Sequence, residues 1–259
     1  MTATAHDELE VQHDQTGDGP GLLLLHSLLT DLTVFDGARG ALAESRRVTR
    51  INLPGFGRSS PVVLESVADH ADHVARVMDA LDLGPDTAVL GNGFGAFVAA
   101  ELAIRHGARF GPLVLADAVP AFPEAARAPF RVMAEKVRAN GMGAVLDTAV
   151  GRMFPPGFAA ANAATVSARK AALASVDPAC FARACLALAA LDLTPRLEGI
   201  RNRTLVACGA LDQTTPPALA RELAARIPGA VYREIPGSGH CPMLEQPQAF
   251  VALVREFLG

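Results

Sequence analysis

The chain of 259 residues is 50% hydrophobic and 19% charged, and it carries a formal net charge of −4. This composition excludes an intrinsically disordered chain, and the negative charge excludes binding to nucleic acid or anionic membranes through bulk charge. The length indicates one domain with a large core, or such a core plus a modest insertion. The hydrophobic residues are mainly Ala, Leu and Val, with no Trp and one Tyr, which favours many helices around any sheet.

The cysteines and the N-terminus indicate where the protein works. None of the four cysteines forms a C-x-x-C pair or stands at zinc-site spacing from a histidine, so we expect reduced thiols, no metal and no cofactor. The first residues, MTATAHDELE, are acidic and lack the features of a signal peptide. No apolar run approaches the roughly 20 residues of a membrane span. We therefore expect a soluble, cytoplasmic protein that does not bind membranes.

In chain order, short apolar runs alternate with helical stretches. Most of the runs are uninterrupted, as is typical of parallel strands buried on both faces. The repeated order of strand, helix and strand predicts an open α/β sheet with helices on both sides. The predicted strands span residues 22–26, 48–53, 87–90, 113–116, 204–207 and 231–235. The predicted helices span residues 34–43, 66–83, 94–106, 217–227 and 247–258.

The alternation stops between residues 121 and 195, where the sequence becomes helical almost throughout. Several short amphipathic helices would bury their apolar faces more easily against the sheet domain than in a core of their own. We therefore predict a core domain formed by residues 1–120 and 196–259, with a helical cap inserted at residues 121–195.

Five loops that directly follow predicted strands carry polar residues and glycines. In open α/β sheets, ligands bind beyond the carboxyl ends of the strands, so these loops are the candidate site. In order they are HSLLTD at 26–31, LPGFGRS at 53–59, GNGFG at 91–95, GALD at 209–212 and GSGH at 237–240.

Taken together and in this order, these loops resemble the α/β-hydrolase fold over nearly the whole chain. The segments SLLTDLTVFD, VRANGMGAVLDTAVGRMFPP and LDLTPRLEGIRNRTLVACGALDQTTPP resemble the 3-oxoadipate enol-lactonase type within that fold. The resemblance implies a mostly parallel central sheet flanked by helices, and an enzyme acting on an ester, a lactone or a related carbonyl compound. It also implies that Asp212 orients His240 as a general base. By the same resemblance, the backbone N–H groups of Leu28 and Phe94 form an oxyanion hole.

The sequence departs from this family at the nucleophile. The family's elbow has the pattern G-x-S-x-G, whereas GNGFG places Gly93 at the nucleophile position. Glycine has no nucleophilic side-chain atom, so an acyl-enzyme on this residue is impossible. Glycine also relieves the elbow strain, which costs about 1–3 kcal/mol for a residue with a Cβ, so we expect the fold to tolerate it. Ser27 and Ser59 lie in loops off the elbow, and neither is assigned as the nucleophile.

Three hypotheses about the reaction follow. The first is a lactonase or esterase whose nucleophilic serine has been replaced, which leaves an inactive protein that binds substrate. The second is an enzyme in which His240 acts directly on water or on an acidic proton, for hydrolysis, elimination, decarboxylation or ring closure. The third is a ligand-binding pseudoenzyme that keeps the pocket. Each predicts a small-molecule partner with a carbonyl group and leaves the oligomeric state open.

A further hypothesis from another class is dinucleotide binding. GNGFGA fits the G-x-G-x-x-A fingerprint, and Asp117 follows the next strand, where a ribose-binding acid would lie. The fingerprint usually belongs to the first βαβ unit, whereas two predicted strands precede this one, and it gives no reason for GALD or GSGH. Asp117 is also the alternative to Asp212 as the acid that orients His240.

The remaining polar residues are expected to have structural roles. His26 is predicted to brace the oxyanion loop, and Cys241 is predicted to pack in the core. Solvated positions are expected for the other histidines, His6, His13, His70, His73 and His106. We expect the arginines of the cap to lie on helix surfaces, where one of them could contact a substrate carboxylate. They are Arg127, Arg131, Arg138 and Arg152.

Overall fold

In the computed structural model, which describes residues 10–62 and 64–259, a seven-stranded sheet forms the centre of the molecule. The strands are β1 (His13–Thr16), β2 (Gly21–Leu25), β3 (Arg47–Ile51), β4 (Ala88–Asn92), β5 (Leu113–Ala116), β6 (Thr204–Gly209) and β7 (Val231–Ile235). Their order across the sheet is β1-β3-β2-β4-β5-β6-β7. All neighbours pair in parallel except β1, which runs antiparallel to β3. The predicted α/β class and mostly parallel sheet are confirmed.

Helices connect the strands and flank the sheet. They are α1 (Asp36–Ala43), α2 (Val67–Ala80), α3 (Phe94–His106), α4 (Glu124–Asn140), α5 (Leu146–Val150), α6 (Pro156–Ala161), α7 (Ala163–Ala174), α8 (Pro178–Ala189), α9 (Pro217–Arg226), α10 (Pro242–Glu245) and α11 (Pro247–Leu258). α1 packs against α11, α2 packs against α3, and α9 packs against β6 and β7. The predicted helix at 34–43 begins instead with a 3₁₀ turn, Leu32–Phe35, which is capped by the Asp31 carboxylate.

The central strands form where apolar residues run without interruption. Every residue of β2, β4, β5 and β6 is buried, as expected for strands covered on both faces. The edge strand β7 instead alternates exposed and half-buried residues along most of its length. The other edge strand, β1, has the polar sequence HDQT, so the apolar pattern did not predict it. Backbone pairing with β3 places it in the sheet.

Two histidines of α2 are buried, so the prediction that they are solvated is wrong. His70 is 3% exposed and His73 is 1% exposed. His70 is three residues from Val67 and four from Val74, and His73 is four residues from Val77. All of these residues are buried, and α2 packs against α3. The His70 ring meets the Phe94 ring edge-on, with 4.9 Å between the centroids. Burial lowers the pKa of His70 to about 3 and the pKa of His73 to about 4, so both rings are neutral near pH 7.

The other predicted surface residues fall into three groups. His13 is exposed, and His106 is half-buried and pairs with Asp72. His6 lies outside the described residues. Among the four arginines of the segment at 121–195, Arg131, Arg138 and Arg152 are exposed and Arg127 is half-buried. All four cysteines are buried and free, in agreement with the packing role predicted for Cys241.

The segment between β5 and β6 contains α4 to α8, and its two ends meet. An isolated bridge pairs Ala121 with Asp192, and the Leu193 N–H donates to the Pro120 carbonyl oxygen at 2.9 Å. α4 packs against α8. Among the described helices, none alone is long and apolar enough to cross a bilayer. α7 and α8 meet that criterion only as a pair, and the pair is bent by 102°.

The parallel strands bring the candidate site together. The carboxyl ends of β2, β4, β6 and β7 meet at one edge of the sheet, because these strands run in the same direction. Ser27, Gly93, Asp212 and His240 each follow one of these ends. The sequence-distant loops are therefore neighbours in space.

Candidate active site

The turn from β4 into α3 places Gly93 at the centre of the site. Gly93 has φ 53° and ψ −116°, and it is the N-cap residue of α3. Its N–H donates to the Ala116 carbonyl oxygen at 2.9 Å, and its carbonyl oxygen accepts from the Phe97 N–H. The flanking glycines are required by close packing, since a Cβ on Gly91 would lie 2.1 Å from the carbonyl oxygen of Gly95. The backbone is that of a sharp strand-to-helix turn, which glycine adopts without strain.

His240 and Asp212 form a buried pair at the ends of β7 and β6. The distance from His240 Nδ1 to Asp212 Oδ2 is 2.8 Å, and the two side chains are 8% and 0% exposed. Thr215 Oγ1 donates to the same Asp212 oxygen at 2.5 Å. The other carboxylate oxygen accepts the backbone N–H groups of Thr214 and Thr215. This network fixes the carboxylate and leaves Nε2 as the histidine nitrogen on the Gly93 side.

The pair has the electrostatics of an oriented base. Burial disfavours the imidazolium, but the adjacent Asp212 carboxylate outweighs it and raises the pKa of His240 above its ordinary value of 6.5. Burial also opposes ionisation of Asp212, yet attraction to His240 and hydrogen bonds from His240 and Thr215 lower the pKa of Asp212 to about 2. Asp212 is therefore ionised at neutral pH, and His240 is a stronger base than a free histidine.

Glu245 holds the histidine loop, a role that the sequence analysis did not assign. Its carboxylate accepts the N–H of Gly239 at 2.6 Å and the N–H of Cys241 at 2.9 Å, on either side of His240. Burial raises the pKa of Glu245, while these two hydrogen bonds favour its ionised form. The N–H of His240 itself donates to the Met153 carbonyl oxygen at 3.3 Å. The available signal was the acidic residue in GSGHCPMLEQP.

Asp117 has a structural position instead of facing His240 Nδ1. Its two carboxylate oxygens accept from the Gly209 N–H and from Asn92 Nδ2, both at 2.9 Å. Burial and the nearby charge of Asp212 raise the pKa of Asp117 well above its ordinary value. Ligand atoms of Asp117, Asp212 and His240 lie within 4.8 Å of one another, but each residue is already engaged in hydrogen bonds. Because Asp117 is fully buried, it is also closed to the ribose of a dinucleotide.

The space beside Gly93 is filled by Ser27 and His240. A Cβ built on Gly93 would lie 2.4 Å from Ser27 Oγ and 2.9 Å from His240 Nε2. Ser27 follows β2 and is 3% exposed. The sequence assigns this serine no role, because no local pattern connects it with GNGFG. The tertiary structure brings its hydroxyl to the place where the side chain of an elbow nucleophile would stand.

Leu28 and Phe94, the two residues of the expected oxyanion hole, line the same region. Leu28 lies in the turn after β2 and Phe94 is the first residue of α3, and both residues are buried and line the cavity. Within residues 10–62 and 64–259, neither N–H donates to a protein acceptor. His26 braces this loop as predicted, since its Nδ1 lies 2.8 Å from the Ser27 carbonyl oxygen and its Nε2 accepts the Leu53 N–H.

A cavity of about 420 Å³ opens over these groups. Ser27, Thr215 and His240 contribute its polar floor. The walls are largely apolar and include Phe97, Phe122, Phe130, Met133, Met153, Phe154 and Leu188. Of the four arginines named from the sequence, Arg152 is the one that lines the cavity, and it is exposed. The site therefore combines an apolar binding space, one oriented histidine and two N–H groups that have no protein acceptor among the described residues.

Comparison with known proteins agrees with this fold. Residues 22–253 match the profile of the alpha/beta hydrolase family. The 3-oxoadipate enol-lactonase 2 of Acinetobacter baylyi is 29% identical over 234 residues, which cover 90% of this chain and 86% of that protein. The enol-lactonase of Burkholderia xenovorans LB400 has a crystal structure that superposes with a TM-score of 0.90, at 28% identity and over 97% of each chain.

A third relative is the polyketide synthase ThaQ of Burkholderia thailandensis, which is 31% identical over 247 residues. That match covers 93% of this chain, which spans only 12% of the synthase. The family profile covers most of the sequence, and the folds superpose almost completely. The chain therefore belongs to the α/β-hydrolase family.

Proposed function

We propose that this protein is an enzyme of the esterase or lactonase type, in which His240, oriented by Asp212, is the general base toward a carbonyl compound. One observation carries the proposal. A buried His–Asp pair lines a largely apolar cavity, together with two residues whose N–H groups have no protein acceptor in the described part of the chain. The similarity to the enol-lactonases supports the same class of substrate.

The geometry supports the following roles in the reaction. The substrate's carbonyl oxygen binds between the N–H groups of Leu28 and Phe94, where the N-terminus of α3 adds positive potential as negative charge develops. His240 Nε2 accepts a proton from the attacking hydroxyl group and returns it to the leaving group. Asp212 stays ionised and stabilises the imidazolium. The proposal requires no cofactor.

We also assign residues 121–195 as a helical cap on a core formed by residues 1–120 and 196–259. The support is the cavity wall, to which this segment contributes Phe122, Phe130, Met133, Phe154 and Leu188. Arg169 of α7 forms an ion pair with Asp31 of the core at 3.1 Å, which ties the two parts together. The cap then selects the apolar part of the substrate and excludes water from the base.

The main alternative is an inactive hydrolase that lost its nucleophile at position 93. The arrangement around Gly93 favours an active enzyme, because the space beside the glycine is filled by Ser27 Oγ and His240 Nε2. The proposed reaction therefore uses no side-chain atom of residue 93. The ligand-binding pseudoenzyme is less well supported, since binding alone does not require a buried carboxylate within 2.8 Å of His240 Nδ1.

A hydrolysis assay with matched histidine variants tests the proposal. We expect the purified protein to hydrolyse members of a panel of p-nitrophenyl esters and five- and six-membered lactones. His240→Ala should reduce this activity to the background rate, whereas His106→Ala, which changes a histidine paired with Asp72 on the surface, should retain it. An unmodified protein that hydrolyses none of the panel, combined with activity gained by Gly93→Ser, would contradict the proposal and support the inactive form.

A further inference from the structure

We infer that Ser27 is the nucleophile of this enzyme and supplies the hydroxyl group that residue 93 lacks. This inference rests on the proposed function, because it requires His240 to act as a base toward a carbonyl substrate. It adds a covalent step and a residue that lies outside the family's elbow motif.

The first support is the position of the Ser27 hydroxyl. Ser27 Oγ and His240 Nε2 lie 2.4 Å and 2.9 Å from the point where a Cβ on Gly93 would stand. The distance between the two atoms is therefore at most the sum of these values. Among the described residues no hydrogen bond joins these two atoms, and hydrogen bonds between nucleophile and base are often long or poorly aligned without substrate and tighten when substrate binds.

The second support is that Ser27 has an anchored backbone and a free hydroxyl. Its carbonyl oxygen lies 2.8 Å from His26 Nδ1 and accepts from Thr30 Oγ1 at 3.1 Å and from the Thr30 N–H at 3.2 Å. In the described part of the chain, the hydrogen bonds of Ser27 are all made by its backbone, and the residue lines the cavity. The other loop serine is already engaged, since Ser59 Oγ donates to the Asn52 carbonyl oxygen at 2.7 Å and accepts the Gln12 N–H.

The third support is the relation of Ser27 to the unpaired N–H groups. The N–H of Leu28 directly follows Ser27 in the chain, so the tetrahedral oxyanion formed on Ser27 would lie beside this donor. Phe94 lines the same cavity, and its N–H is at the N-terminus of α3. The nucleophile, the base and the residues of both donors therefore line one cavity, and acyl transfer requires these groups to lie together.

The chemical step is balanced by the groups present and by water. His240 Nε2 takes the proton of the Ser27 hydroxyl while Oγ bonds to the carbonyl carbon. The bond from that carbon to the leaving oxygen then breaks, and His240 returns the proton to the leaving group. Water hydrolyses the acyl group on Ser27 with His240 again taking the proton, which releases the acid and restores the serine.

This mechanism explains why residue 93 is a glycine. Any Cβ at residue 93 would collide with Ser27 Oγ at 2.4 Å. The glycine is therefore a requirement for the Ser27 route, because a larger residue would push the hydroxyl away from His240.

An active-site fluorophosphonate tests the inference directly. The probe phosphorylates a serine by displacement of fluoride, and digestion followed by tandem mass spectrometry locates the adduct. We expect one adduct, on Ser27, in the unmodified protein. Ser27→Ala and His240→Ala should lose it, and Ser59→Ala should retain it. No adduct on Ser27 in an enzyme that hydrolyses esters would overturn the inference.

Steady-state kinetics separate the two proposals. Ser27→Ala should lower kcat by on the order of 10⁴- to 10⁶-fold, as removal of a nucleophile does elsewhere, with an unchanged circular dichroism spectrum. If Ser27→Ala keeps its activity while His240→Ala loses it, the inference fails and the proposed function stands, with water as the direct nucleophile. If His240→Ala keeps the activity of the unmodified protein, the proposed function fails as well.

In Gly93→Ser, the fluorophosphonate adduct should move from Ser27 to position 93, because the new side chain displaces the Ser27 hydroxyl.

Discussion

Gly93→Ala introduces a methyl group into space occupied by Ser27 and His240, and its effect on stability follows from the structure. At φ 53°, residue 93 has a conformation that costs about 1–3 kcal/mol once a Cβ is present. The new Cβ would lie 2.4 Å from Ser27 Oγ, so the serine must shift from its rotamer, at about 0.5–1.5 kcal/mol. We expect the free energy of unfolding to fall by about 2–4 kcal/mol. For a chain of this length, that change lowers Tm by about 5–15 °C.

Thermal and urea unfolding measure this effect against a matched glycine. Gly143 is exposed, has no positive φ and has no atom within 4 Å of a Cβ built on it. Gly143→Ala should therefore change the free energy of unfolding by less than about 0.5 kcal/mol. A double-mutant cycle isolates the contact, because Gly93→Ala should be less destabilising in a Ser27→Ala background. A Gly93→Ala protein as stable as the original, or an equal loss in both backgrounds, would refute the packing described around residue 93.

Three further predictions concern pH and local stability. Because Asp212 raises the pKa of His240 and only the neutral ring accepts a proton, kcat/KM should fall as pH decreases through a midpoint above 6.5. Asp212→Asn should lower that midpoint and reduce kcat by on the order of 10⁴-fold, and a pH profile of both proteins checks this. His70 and His73 are buried with pKa values lowered to about 3 and about 4, so the unfolded chain binds more protons below pH 6.5. The free energy of unfolding should therefore decrease as pH falls from 6.5 toward 4, by up to about 1.4 kcal/mol per pH unit for each histidine. Urea titrations at several pH values measure this, and an unfolding midpoint that stays constant would contradict it. Gly40 is an exposed residue of α1, and no atom lies within 4 Å of a Cβ built on it. Gly40→Ala should therefore stabilise the protein by about 0.5–1 kcal/mol. An unchanged or lower Tm would contradict a helix at this position.

Apolar runs predicted six of the seven strands, because strands covered on both faces need uninterrupted hydrophobic sequence. The same rule failed for β1, whose residues HDQT carry no apolar signal and whose pairing depends on the backbone of β3. The helices at 94–106 and 247–258 have the predicted bounds, since glycine or proline marks where each begins. The sequence was therefore sufficient to predict an element wherever that element contained an apolar run or began at a glycine or proline.

The histidines of α2 illustrate a signal that was present in the sequence and outweighed by residue type. His70 and His73 fall on the apolar face of α2 by spacing, yet their polarity suggested solvent. Packing against α3 buries them, because most of that helix face is apolar and two neutral rings can be buried along with it.

The sequence by itself determined the α/β order, the loops that follow the strands, and Gly93 in place of a nucleophile, since each of these depends on neighbouring residues in the chain. Only the tertiary structure decided the partners within the site. It placed Asp212, and not Asp117, at His240 Nδ1, and it brought Ser27 Oγ into the space where a side chain of residue 93 would stand. The physical reason is that the carboxyl ends of parallel strands bring loops together regardless of their separation along the chain, and distances between those loops leave no local pattern in the sequence.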